Sequence, residues 1–115
     1  MQIREVELDD VLVVAPAGRV DSTSSTQLEQ LLFDRLDGGS RRMIVDLAGI
    51  DYISSAGLRV LLWLAKRMQA EKGDLVLCGM GEPVRQVFEL AGLLPLFAVE
   101  GTRDEALTRL GRKST

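Results

Sequence analysis

The chain has 115 residues, a formal net charge of −3 and no histidine. That length suits one domain around a single core, spanning about residues 2–110 of the 115. The missing histidine excludes Ser-His-Asp and Cys-His catalysis and any imidazole-bound metal. The mild negative charge offers no footprint for nucleic acid or for an anionic membrane surface.

Other absences narrow the field further. The lone Cys78 has no partner for an internal disulfide and sits in an apolar run, which suggests a small buried thiol. No run approaches the ~18 apolar residues of a membrane helix, and no signal-peptide pattern opens the chain, so the expected compartment is the cytoplasm. No phosphate-binding loop of the G-x-x-x-x-G-K-[ST] type occurs. Gly79-Met80-Gly81 resembles the start of a dinucleotide fingerprint, but Val84 replaces its third glycine, and a strand-to-helix turn accounts for these glycines better. No cofactor, no metal and no enzymatic activity are expected.

Residues 2–8 and 11–16 read as two strands around an Asp9-Asp10 turn, with the β-branched run Val11-Leu12-Val13-Val14 central in a sheet. Pro16 lacks an N–H and is expected to end or disturb the pairing there. Ser22-Thr23-Ser24-Ser25-Thr26 reads as turn and cap before a helix that runs to about Asp37, with Leu28, Leu31, Leu32 and Leu36 on one face. A buried strand follows at 43–47, then a helix from about Ala56 to Glu71, and a strand at 74–79. Glu82-Pro83 opens a third helix whose buried face holds Val84, Val87, Phe88 and Ala91. Leu96 to Glu100 reads as a last short strand. Thr102 and Glu105 form a capping box for a final helix, and a polar, frayed tail starts at Gly111. The expected fold is thus α/β, a mostly parallel or mixed sheet of about five strands with about four helices, mainly on one face.

The centre of the sequence is the passage from the 43–47 strand into the second helix, where Ser54 and Ser55 stand side by side. A serine at such a junction can cap the helix through a free backbone N–H. It can also carry a phosphate, which the positive end of the helix favours. A projection at about 100° per residue places Leu61, Leu64, Ala65 and Met68 toward the core. Arg59, Trp63 and Lys66 fall on the outward face, with Leu62 and Arg67 flanking. Trp63 is then either tucked against a neighbouring loop or merely a scattered surface apolar residue, or it is part of a protein-docking patch with its cations.

The stretch Val45-Asp46-Leu47-Ala48-Gly49-Ile50-Asp51-Tyr52-Ile53-Ser54-Ser55-Ala56-Gly57-Leu58 resembles the signature of STAS domains, and within them that of bacterial anti-sigma factor antagonists. Gly18-Arg19-Val20-Asp21 is similar to the family's earlier Gly-Arg-Leu-Asp turn. The resemblance implies a partner-switching protein. Its unphosphorylated form binds an anti-sigma factor that is also a serine kinase, phosphorylation of a serine at the start of the central helix ends the binding, and a metal-dependent phosphatase resets it. Alignment on Gly57-Leu58 puts Ala56 where the sporulation members carry the modified serine and Ser54 where they carry aspartate. The implied acceptor is therefore Ser55, with Ser54 as the alternative and with Asp21, Asp51 and Gly57 nearby. Arg59, Leu62, Trp63 and Lys66 are the expected partner-binding residues. Two further readings stay open: a non-switching interaction module, and a switch whose output is not a sigma factor but, for example, secretion.

Overall fold

A computed structural model of the chain describes residues 1–111. The expected fraying of the tail beyond Gly111 lies outside the described residues. In chain order the elements are β1 (Gln2–Leu8), β2 (Val11–Val20), α1 (Ser24–Asp37), β3 (Arg42–Asp46), β4 (Ile50–Ile53), α2 (Ser55–Ala70), β5 (Asp74–Cys78), α3 (Glu82–Leu90), a 3-10 turn (Leu94–Leu96), β6 (Ala98–Glu100) and α4 (Arg103–Leu110). The six strands form one mixed sheet in the order β1-β2-β3-β5-β6, with β4 paired to β2. Only the β1–β2 pair is antiparallel.

The sheet is buried on both faces, which is why its central strands are apolar almost without interruption. Leu12, Val14, Met43, Val45 and Leu77 face α1, α2 and α3, where they meet Leu28, Leu32, Leu61, Leu64 and Phe88. The alternate residues Val11, Val13, Ile44, Val76 and Cys78 face the other way, against Ala106 and Leu107 of α4. Each fully buried leucine contributes about 1.5–3 kcal/mol relative to exposure. Three helices on one face and one short helix on the other match the expected arrangement.

Both ends of α4 are pinned to that second face. At its start, Thr102 Oγ1 accepts from the Glu105 N–H at 3.1 Å, the cap read from the sequence, and Arg103 pairs with Asp46 of β3 at 3.0 Å. At its end, Arg42 donates to the carbonyls of Leu110 and Gly111 and pairs with Asp10 at 2.7 Å. Cys78 is fully buried under this helix. Burial first, and then the nearby Asp46 carboxylate, pushes its thiol up to about 12.

Some expectations need correction. Ala91, expected on the buried face of α3, is its exposed C-cap. Pro16 does not end β2, which continues to Val20, although the strand changes neighbours across it. The strand is paired to β3 over Leu12–Val14 and to β4 over Gly18–Val20. Pro16 falls between these two ladders, where no N–H is required on that side. A further correction is β4, a sixth strand where the sequence alone suggests a connection. It buries only its end residues, Ile50 and Ile53, so it lacks the alternation that marks a half-buried strand. This strand extends β2 past the rest of the sheet and sets the position from which α2 departs.

Candidate partner-docking site at the start of the central helix

The start of α2 is built from β2, β4 and the junction between them. The Ser54 N–H donates to the Val20 carbonyl at 2.8 Å, which fastens the helix entrance to the end of β2. Ser54 itself is extended, with φ −86° and ψ 170°, and its side-chain oxygen accepts from the Gly57 N–H at 3.2 Å. Ser54 is therefore the N-cap. Ser55 is the first helical residue, one position earlier than the Ala56 start read from the sequence. Its side chain is exposed and makes no hydrogen bond among the described residues. The two adjacent serines thus divide the roles that either could have filled: the cap belongs to Ser54, and Ser55 keeps a free hydroxyl.

Gly57 owes its identity to packing. A Cβ at this position would lie 2.7 Å from Val20 Cγ1 and 2.8 Å from Ile53 Cγ1, so the first turn of α2 rests directly on the β2–β4 ladder. Asp21 follows Val20 and is committed to α1. Its Oδ1 accepts from the Thr23 and Ser24 N–H groups, each at 3.0 Å, and from Ser24 Oγ at 3.1 Å. The Ser24 backbone bond foremost, then the Ser24 hydroxyl and the Thr23 N–H, holds its carboxyl below the usual range. The single Ser24 hydroxyl proton is shared between Asp21 Oδ1 and the Arg19 carbonyl, the latter at 2.6 Å, so the Ser22–Thr26 cluster works as turn and cap. Both α1 and α2 consequently begin at the same end of the sheet. Asp51 is exposed on β4.

Along α2 the outward face is as projected. Arg59 and Lys66 are exposed, Leu62 is half-buried, and Trp63 is 44% exposed. Trp63 is therefore not tucked away, and this exposure fits a scattered surface residue as well as a docking patch. The indole lies roughly 12 Å along the helix from Ser55, eight residues at about 1.5 Å each. Leu61, Leu64 and Met68 are buried on the opposite side, and Leu58 and Val60, which the projection left unassigned, join them. Arg67 turns toward α1, pairing with Asp37 at 3.0 Å and Glu71 at 2.7 Å and lying 5.6 Å from the Phe33 ring centroid. One feature of the site was not legible from local pattern. Arg19 of β2 lies over the exposed Tyr52 ring of β4, 4.2 Å from its centroid, a contact created by the β2–β4 register.

The STAS domain family model matches residues 2–106 of this sequence. The chain belongs to the STAS domain family. Among STAS proteins it is 42% identical over 106 residues to BtrV of Bordetella bronchiseptica, which is assigned to the anti-sigma factor antagonists; the match covers 92% of this chain and 91% of that one. A Thermotoga maritima protein assigned to the same group has a crystal structure that superposes with a TM-score of 0.91 at 22% identity, covering 96% of this chain and 95% of that one. The anti-sigma factor antagonist SpoIIAA in its unphosphorylated form gives a TM-score of 0.83 at 20% identity, covering 99% of this chain and 100% of that one. The two structural likenesses show a shared STAS fold. The similarity to BtrV extends over nearly the whole sequence.

No helix among the described residues is long and apolar enough to cross a membrane. The STAS relatives named here are anti-sigma factor antagonists by name.

Proposed function

We propose that this chain is an anti-sigma factor antagonist in a cytoplasmic partner-switching module. Its unphosphorylated form binds an anti-sigma factor with serine-kinase activity through the start and outward face of α2. The observation that carries this reading is the exposed, unbonded Ser55 hydroxyl at the first position of α2, followed on the same surface by Arg59 and Trp63. A purely structural role for the serine pair finds support only at Ser54, the cap.

The kinase transfers the γ-phosphate of ATP to Ser55. The Oγ–P bond forms as the bond to ADP breaks, and the hydroxyl proton passes to a base on the kinase. The product carries about −1.5 to −2 charges and three strong acceptors. The fold tolerates that charge at a helix N-terminus. A partner surface closed over Ser55 does not, because the phosphate must shed water and meets any facing carboxylate as a like charge. A coupling of about 3–4 kcal/mol changes affinity by a few hundred-fold, enough for a switch without refolding. A metal-dependent phosphatase restores the binding form.

Asp51 and the Arg19–Tyr52 pair lie on the strands that lead into this site and extend the surface open to a partner. Incubation with the cognate kinase and ATP, followed by mass spectrometry, tests the assignment. Phosphate on Ser55 is expected; modification confined to Ser22–Thr26 would overturn it.

A further inference from the structure

Arg59 follows Ser55 by four residues, so the two share one face of α2 across a single turn. Long side chains on a helix lean toward its N-terminus, a direction that puts the Ser55 position within reach of the Arg59 guanidinium. From Ser55 to Ala70 the helix contains no acidic residue; like α1 it has none in its first turn, whereas α3 carries Glu82 and α4 carries Asp104 and Glu105 there. The first turn of α2 therefore supplies no carboxylate of its own, and the nearby Asp21 is already bonded to the Thr23 and Ser24 N–H groups.

Arg59 is equally uncommitted. Among the described residues, Arg4 and Arg59 are the arginines with neither an ion pair nor a ring contact. Arg67, two turns further along the same helix, shows the contrast, held by Asp37 and Glu71.

We propose that Arg59 is the internal clamp for phosphoserine at position 55. When the phosphate is added, the guanidinium closes on it across one turn and binds two of its oxygens, a match of planar fork to oxyanion that lysine does not reproduce. The inference rests on Ser55 as the modified residue. Its consequence is a second component to the switch: the phosphate repels the partner and also removes Arg59 from the docking face. The modified form gains stability from the same contact, because the phosphate also meets the free N–H groups of the first turn.

The test builds phosphoserine into position 55 during translation, in the native chain and in Arg59→Gln, and compares the melting temperatures of all four proteins. Phosphate is expected to raise Tm by about 3 °C more in the native background than in Arg59→Gln. That difference should shrink in 1 M salt, where the screening length is about 3 Å. In nitrogen-15 spectra the Arg59 Nε–H resonance should shift on phosphorylation. Equal Tm changes in the two backgrounds, or an Arg59 resonance that does not move, would overturn the clamp. Because the phosphoserine is installed without a kinase, an enzyme that modifies another residue counts against the Ser55 reading alone, and an unmoved Arg59 counts against the clamp alone.

Discussion

The Ser54 N–H reaches the Val20 carbonyl at 2.8 Å, and this one bond joins the entrance of α2 to the strand end from which α1 departs. Ser54 then uses its side chain on Gly57, leaving its neighbour Ser55 without structural duty. The separation of cap from acceptor leads directly to a stability prediction. Ser54→Ala should cost about 1 kcal/mol, the usual loss for an N-cap serine. Ser55→Ala should change stability by no more than about 0.5 kcal/mol, as expected of an exposed position. Urea unfolding of both variants checks this, and a larger loss at Ser55 would contradict the division of roles.

Gly57→Ala should be the more damaging change at this junction. The added methyl meets Val20 and Ile53 at under 3 Å, and the contacts are with side chains wedged in the core. Overpacking of this kind costs about 1–3 kcal/mol. Thermal unfolding reads the loss, and amide shifts in β4 and the first turn of α2 locate it.

Trp63→Ala separates docking from packing. With the indole 44% exposed and the core seam on the other side of α2, the variant should keep its melting temperature within a few degrees. Its affinity for the partner should fall by about 2 kcal/mol or more if the indole anchors the interface. Both quantities are measured on the same protein. A large stability loss with unaltered affinity would place the partner elsewhere.

Much of this was legible in the sequence because it depends on local chemistry. The buried strands announced themselves as apolar runs, and the α2 faces followed from helical spacing, so Leu61, Leu64 and Met68 are buried while Arg59, Trp63 and Lys66 are exposed. What was not legible depends on non-local geometry. The strand β4 escaped because Ile50 and Ile53 are three residues apart on a four-residue strand, a spacing that does not alternate. Pro16 looked like a stop because only the sheet order shows that β2 changes neighbours there. Which of two adjacent serines caps α2 is decided by backbone angles at the junction, and identical side chains carry no hint of that. The Arg19–Tyr52 contact joins two strands whose pairing had not been foreseen.

Asp21 adds a prediction about pH. Its folded carboxyl lies below its ordinary value of 3.8, through the Ser24 and Thr23 bonds. A depressed carboxylate stabilises the fold above the unfolded value, and this contribution is lost as pH falls through the folded one. Asp21→Asn should therefore show a shallower loss of stability below about pH 4 than the native chain. The group is half-buried at the surface and open to solvent, so the difference is small. Acid titration by circular dichroism measures it, and an unchanged or steeper acid limb would contradict the proposed anchoring of α1.

The most direct measurement is calorimetric titration of the cognate kinase with three forms of the chain: native unphosphorylated, Ser55→Ala, and phosphorylated on Ser55. The first two should bind with closely similar affinity, since Ser55 carries no structural bond. The phosphorylated form should bind roughly a hundred-fold or more weakly, a difference of about 3 kcal/mol. Equal affinity for the Ser55→Ala and phosphorylated forms would contradict a gate at this serine.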